Sequence, residues 1–506
     1  LRMTAAEIAE TLQDLACVPV PENVITEITS WIDRYGLLRI ERRENGFELL
    51  SDDPAILPDL LGHDSVRKQC TVHADGRVTL DDLQRGGVKQ ALIKLGFPVD
   101  DRGGYLDGDP LDIRLRDETV RGAPFGLRPY QEGAAAAFHA GGSELGGSGV
   151  IVLPCGAGKT VTGMATMALV GCKTLILTTN TIAVRQWKEE LLDKTWLTED
   201  EVGEYTGETK VVKPVTITTY QMLTWRKSKT DDFLHFGLFS SENWGLVIYD
   251  EVHLLPAPIF RVTADLQARR RLGLTATLVR EDNKEDEVFC LIGPKRYDVP
   301  WKVLERQGFI AAASCVEVRV PLDGNLRTIY ASAGARSKFR VASENHAKVD
   351  VTAKLIQRHT EGRILVIGQY LDQLDALSRA LRAPLITGKT PNADRERLYE
   401  AFKSGEERLL IVSKVGNFAI DLPDANVAIQ VSGTFGSRQE EAQRLGRILR
   451  PKSDGSAAVF YSVVTAGTRD QEFAEKRQLF LTEQGYTYDI IEASALDSKL
   501  SGVTVD

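Results

Sequence analysis

The chain has 506 residues, 43% of them hydrophobic and 26% charged, an ordinary globular composition with apolar material for several cores and a length that suits about three or four domains. No charge-free apolar stretch is long enough to span a bilayer, the start does not read as a signal peptide, and six scattered cysteines without a C-x-x-C pair argue against a zinc site or a disulfide framework. These features point to a reducing, cytoplasmic setting. A net charge of −9 counts against a generally basic nucleic-acid binder, although a local basic lining suffices for one. Leu1 is not an initiator methionine, so some sequence is expected to precede it.

In chain order, Ala5 to Leu15 and Pro21 to Tyr35 read as amphipathic helices, the second with Val24, Ile25, Ile28 and Ile32 on one stripe. Leu37–Arg42 and Gly46–Leu50 read as strands around a turn at Glu44-Asn45-Gly46. Helices followed by a hairpin predict a winged-helix-like module over residues 1–66, for nucleic-acid contact or for docking and packing. Residues 67–118 read as a separate mixed α+β segment. It has strands at Cys70–His73 and Arg77–Leu80, a helix from Leu83 to Leu95 and a Gly- and Asp-rich loop from Asp100 to Asp109.

From Leu127 the pattern becomes alternating apolar strands and amphipathic helices. Strands are expected at Val150–Leu153, Thr174–Thr178, Val215–Thr219, Leu246–Asp250 and Arg271–Leu274. A second set is expected at Arg363–Ile367, Ala383–Ile386, Leu409–Val412, Asn426–Val431 and Ala457–Ser462, with Glu317–Pro321 added. This predicts an α/β fold with two doubly wound parallel sheets, over 119–310 and 311–506, whose functional loops lie at the carboxyl ends of the strands.

Leu153-Pro154-Cys155-Gly156-Ala157-Gly158-Lys159-Thr160 follows the first of these strands and opens a helix. Glycines at a helix N-terminus let backbone N–H groups face phosphate oxygens, with Lys159 on the β- and γ-phosphates and the Thr160 hydroxyl on Mg²⁺. Leu153 stands where the strict phosphate-loop pattern has Gly. Asp250 and Glu251 close a buried strand, with His253 beyond them; an acid to hold Mg²⁺ and a base to activate water are what a nucleotidase requires there. In the second unit, Arg447 and Arg450 share a helix face and suit arginine fingers, against a plain reading as a solvated basic face. Cys155 reads as a small side chain that fits its turn. Trp187, Trp225 and Trp301 could stack on bases, with core packing the more common fate of a tryptophan.

Leu127–Gln131, the phosphate loop, Thr218-Thr219-Tyr220, Asp250-Glu251-Val252-His253, Thr275-Ala276-Thr277, Val412–Pro423 and Gln443–Arg450 occur in superfamily-two helicase order. More narrowly, the chain resembles the XPB family of DNA repair helicases from about Leu127 to Ile491. Leu272–Asp282, Ile292–Lys295, Ser413–Gly416, Asp421–Pro423, Glu441–Arg450, Lys476–Leu481 and Gln484-Gly485-Tyr486 carry that likeness. The resemblance implies two tandem RecA-like motor domains, ATP and Mg²⁺ as cofactors, and DNA (single-stranded, forked or duplex) as substrate. It also implies 3′-to-5′ polarity, a role in repair and a nuclease or other repair factor as partner; a monomeric motor is expected.

Carried over position by position, the resemblance makes Gln131 the adenine-reading glutamine, beside Arg128 and Tyr130. Gly156, Ala157, Gly158, Lys159 and Thr160 bind phosphate, and Thr160 and Asp250 hold the metal. His253 and Gln443 link the ATP site to DNA-facing motifs, Thr275 and Thr277 couple hydrolysis to domain movement, and Gly416 and Asp421 contact nucleotide and DNA. Arg280-Glu281-Asp282 matches a strand-separating motif, against a plain reading as a helix-terminal salt-bridge cluster. A damage-recognition domain would fall near residues 68–118. A thumb-like insertion would fall at Asp323–His346, which is short, basic and Gly-containing here.

Overall fold

The computed structural model describes residues 4–16, 18–43, 46–80, 84–101, 107–143, 146–228, 234–235, 242–255, 268–277, 285–413, 425–433, 444–446 and 458–496. Near the start, β1 (Leu38–Arg43) and β2 (Gly46–Ser51) form the expected antiparallel hairpin. Leu38, Ile40, Phe47 and Leu49 alternate onto one buried face, as the two-residue period of a strand requires. That hairpin is not a free wing. With β3 (Thr71–Val72), β4 (Val78–Leu80) and β5 (Val99–Asp101) it makes one sheet of order β3-β4-β2-β1-β5.

One core joins those strands to Leu60, Val66, Val88 and Leu92. Residues 38–101 thus share a sheet and a core on both sides of the expected division between residues 66 and 67. The cause is non-local pairing, since β1 takes β2 on one edge and the much later β5, in parallel, on the other. The helices Ala5–Leu15 and Glu22–Arg34 do form, the first capped by reciprocal Thr4–Glu7 hydrogen bonds. Neither contributes to that core.

The first RecA-like sheet comprises β6 (Ser148–Val152), β7 (Thr174–Thr178), β8 (Val202–Tyr205), β9 (Val215–Thr219), β10 (Leu246–Asp250), β11 (Arg270–Thr275) and β12 (Lys295–Asp298). Its order is β12-β6-β11-β10-β7-β9-β8, and every pairing is parallel. The second comprises β13 (Ala313–Val320), β14 (Ile364–Gly368), β15 (Leu385–Ile386), β16 (Leu409–Ser413), β17 (Val427–Gln430), β18 (Ala458–Thr465) and β19 (Tyr488–Glu492). It runs β15-β16-β14-β17-β18-β13-β19, again all parallel. Helices cover both faces, so the central strands are apolar throughout rather than alternating. Asp323–His346, the stretch matched to a thumb, is a pair of short helices, Gly324–Ser332 and Ala335–Ser343.

The helix Trp301–Arg306 leads from the first sheet to the second and packs on the far end of the chain. Trp301 N–H donates to Gln484 Oε1 at 3.3 Å, the Trp301 and Tyr486 rings meet edge to face at 6.4 Å, and Lys302 Nζ lies 4.4 Å over the Tyr486 ring. Inside the second unit, buried Lys348 pairs with Asp470 at 2.6 Å and donates to the Val431 carbonyl at 2.8 Å. This clamps the carboxyl end of β17 to the helix Arg469–Glu483.

Candidate active site

The turn after β6 delivers Gly158 as the N-cap of the helix Lys159–Val170, at φ +77° and with no side-chain cap. The first N–H groups of that helix are therefore left to an outside acceptor, at its positive end. A Cβ at Gly158 would sit 2.6 Å from Gln131 Nε2, so the loop closes only around a glycine here. Along the same helix, the Thr162 and Thr166 hydroxyls donate back to the carbonyls four residues earlier, at 3.2 and 2.9 Å. Half-buried Thr160 bonds its hydroxyl to no other described residue and is thereby available to a ligand.

Gln131 and its neighbours brace this loop from behind. Tyr130 OH donates to the Ala157 carbonyl at 2.7 Å, and Gln131 Nε2 donates to the same oxygen at 3.0 Å. Gln131 Oε1 accepts from Arg128 N–H at 2.9 Å, and Arg128 Nη1 reaches Tyr130 OH at 3.0 Å and the Phe309 carbonyl at 3.2 Å. The glutamine expected to read adenine therefore spends one N–H and one lone pair on the loop and the chain, and keeps one of each.

Asp250 ends β10, and its backbone carbonyl accepts from Tyr220 OH at 2.7 Å. Glu251 follows at φ +50° and ψ +51°. Only two other described non-glycine residues, Ala140 and Arg382, have a positive φ, and both are helix C-caps. A glutamate held there costs about 1–3 kcal/mol of backbone strain, which persists only where surrounding contacts enforce it. The turn brings Glu251 Oε1 to 3.3 Å from Lys159 Nζ.

These charges tune one another. Burial raises the Asp250 carboxyl to about 6, Glu251 adds to that, and the Trp187 N–H and Lys159 oppose it. Burial works against the Lys159 ammonium, but Glu251, Cys155 and Asp250 together carry its pKa above the ordinary lysine value. Lys159 thus remains a cation facing two acids.

Trp187, expected to pack in the core or else to stack on a base, stands at the site. It is 1% exposed, yet its indole N–H donates to Asp250 Oδ2 at 2.9 Å. The indole therefore fixes one carboxylate oxygen and leaves the other for the cleft. Trp187→Phe keeps the ring and deletes the donor. It is expected to weaken Mg²⁺ dependence of nucleotide binding by about 10–100-fold, as loss of an outer-shell partner does, with little change in Tm. Titration of Mg²⁺ against a fluorescent ATP analogue reads this, and an unshifted midpoint would remove the positioning role.

The expected coupling residues meet as a buried chain. His253 Nδ1 lies 2.6 Å from Thr275 Oγ1, and that hydroxyl donates to the Thr277 carbonyl at 2.6 Å while accepting Thr277 N–H at 3.1 Å. The hydroxyl proton is spent on the carbonyl, so the imidazole supplies the other one from Nδ1. Glu251 Oε2 is 3.5 Å from the same nitrogen, which joins the acid to the threonine pair through one ring.

Arg447, Arg450, Gln443, Gly416, Asp421 and the Arg280-Glu281-Asp282 stretch lie outside the described residues. Their neighbour Gly446 is described, and a Cβ added there would collide with the Cys155 side chain of the phosphate loop. The Gly446 backbone therefore lies against the Cys155 side chain, and glycine on one side with a small residue on the other admits the approach.

No group of three or more His, Cys, Asp or Glu among the described residues forms a metal cage. Mg²⁺ keeps its waters and takes one or two protein oxygens together with substrate phosphates. The Thr160 hydroxyl and the Asp250 carboxylate, beside an uncapped helix terminus, fit that demand.

Residues 304–504 match the family described as ERCC3/RAD25/XPB C-terminal helicase, and residues 124–280 match that described as Type III restriction enzyme, res subunit. A DNA 3′-5′ helicase XPB of Mycobacterium tuberculosis is 51% identical over 494 residues, spanning 97% of this chain and 88% of that protein. Its counterpart in Kineococcus radiotolerans is 52% identical over 495 residues, spanning 97% and 87%. The general transcription and DNA repair factor IIH helicase/translocase subunit XPB of Encephalitozoon cuniculi is 34% identical, spanning 97% and 74%. Among solved structures, the ATP-dependent Type ISP restriction-modification enzyme LlaBIII bound to DNA superposes with a TM-score of 0.56 at 13% identity, covering 73% of this chain and 31% of that one. Saccharomyces cerevisiae Dbp5 bound to RNA and ADP BeF3 gives 0.53 at 13%, covering 82% and 94%. At that identity the likeness concerns the fold.

Proposed function

The chain belongs to the XPB family of DNA 3′-5′ helicases, and on that premise we propose that it is an ATP-driven DNA motor acting in repair. Residues 119–310 and 311–506 are its two motor domains. The observation that carries the reading is the convergence of Lys159, Asp250 and Glu251 on one strand rim, with Gly446 of the second domain against Cys155 of the first.

ATP sits with its phosphates on the amides after Gly156 and on Lys159, and with adenine near Gln131. Thr160 and Asp250 would hold Mg²⁺, which would supply positive charge against the phosphate oxygens. Glu251 orients the attacking water and accepts its proton. Arg447 and Arg450, next along from Gly446, bring positive charge to the phosphoryl group as the cleft closes. His253 and Thr275 pass the state of Glu251 to the neighbouring rim. DNA lies across the carboxyl ends of both sheets, and opening and closing of the cleft moves the chain along it.

The test is ATP turnover with single-stranded, forked and duplex DNA and matched RNA. Stimulation by DNA above RNA supports the reading, and turnover indifferent to all of them overturns it in favour of a switch subunit for a partner nuclease. A second reading, translocation on duplex without strand separation, is favoured by the helicase/translocase name of the 34% identical relative. Triplex displacement without unwinding of a fork would establish it.

A further inference from the structure

Two of the three tryptophans weighed above are core residues, but Trp225 is not. Trp187 and Trp301 are each 1% exposed, whereas Trp225 is 44% exposed on the segment that follows β9. Buried Met222 and Leu223 anchor that segment, and the Leu234 N–H closes on the Trp225 carbonyl at 3.2 Å.

The indole is braced. The His235 ring lies 5.8 Å from it at a 40° tilt, and His235 Nδ1 is held by Tyr205 OH at 2.9 Å. Cationic side chains lie near it on a chain whose net charge is −9. Arg226 and Lys227 follow directly and are exposed, and exposed Lys210 is near enough for its charge to add to burial in lowering the His235 pKa.

Placement adds the rest. β10, β7 and β9 are consecutive and parallel in the sheet, so the turn after β9 and the carboxylates after β10 share one rim. Two strand spacings separate them, about 10 Å. Trp225 lies past that turn, against the His235–Tyr205 pair at the end of the edge strand β8, on the rim where the motor reading puts DNA.

We propose that Trp225, braced by His235 and Tyr205 and flanked by Lys210, Arg226 and Lys227, is a stacking platform for an unpaired base of single-stranded DNA. A flat apolar face takes any base, and neighbouring cations take the backbone. The ligand is single-stranded because bases inside a duplex have no free face to offer. This rests on the motor reading and extends it to a specific contact.

The experiment measures anisotropy of labelled oligothymidine and of a blunt duplex, over a salt series, with the full chain. Trp225→Ala is expected to weaken oligothymidine binding about 5–100-fold with an unchanged salt slope. Trp225→Phe should retain most of the affinity, and duplex binding should stay within about twofold of the parent. Lys227→Ala should instead flatten the slope by about 0.7. Unchanged oligothymidine binding by Trp225→Ala, or equal loss on duplex, overturns the platform. Trp225→Gln serves in place of the alanine variant should that protein fail to fold, as judged by binding of the ATP analogue. DNA-stimulated turnover of the parent is read in parallel, so failure of the motor reading shows there and not in Trp225.

Discussion

Glu251→Gln is expected to lower kcat for ATP by about 10²–10⁴-fold, the range that positioned proton transfer supplies. Glutamine keeps the size and a hydrogen-bonding oxygen but cannot take a proton from water. Glu251 is held in a left-handed conformation that few side chains adopt, and the result is a carboxylate aimed at Lys159 rather than back along β10. Such strain, enforced next to a phosphate loop, marks a residue whose direction matters more than its comfort. The substitution also removes the like charge that helps raise Asp250, so Asp250 ionises at lower pH in the variant and metal binding is preserved. Nucleotide and Mg²⁺ affinity should therefore stay near the parent while single-turnover hydrolysis collapses. Near-normal turnover would show that another group activates the water.

The central architecture was legible because buried parallel strands are written as continuous apolar runs. Thr174–Thr178, Val215–Thr219 and Leu246–Asp250 form within the expected limits, since each is covered on both faces. Three strands of the two larger sheets were not legible. β8, β12 and β19 lie at sheet edges and carry Val-Gly-Glu-Tyr, Lys-Arg-Tyr-Asp and Tyr-Asp-Ile-Ile-Glu, where the continuous apolar run is absent. The N-terminal sheet was hidden for another reason: a hairpin announces itself locally, but the pairing of β1 with β5 depends on contacts far apart in sequence.

The same contrast runs through the site. Lys159, Asp250 and Glu251 stand in motifs whose order along the chain carries meaning. The indole that orients Asp250 is 63 residues away on a helix, and nothing in its local pattern separates it from a core tryptophan. Only the packed structure distinguishes Trp187, which serves an acid, from Trp225, which faces solvent.

Lys159→Ala is expected to reduce turnover by about 10²–10³-fold, as loss of one preorganised donor to a transferring group does, and to weaken ATP binding as well. Two losses combine. The phosphates lose their ammonium, and the acids lose the cation that faces both of them. Glu251 then repels Asp250 without relief, and since Lys159 is one of the groups that oppose the rise of the Asp250 pKa, that pKa climbs further. A larger share of Asp250 is protonated near neutral pH, and a protonated acid is a poor holder of Mg²⁺. The variant should therefore demand more Mg²⁺, and its residual turnover should recover as pH rises, because alkali restores the Asp250 carboxylate while no lysine remains to titrate. Lys159→Arg keeps the charge but replaces a compact ammonium by a planar fork, so it should restore the pH profile without restoring the rate. DNA binding at low salt should persist in both variants. If the alanine variant instead loses turnover with an unchanged Mg²⁺ and pH dependence, Lys159 acts on phosphate alone and the charge coupling to Asp250 is not part of its role.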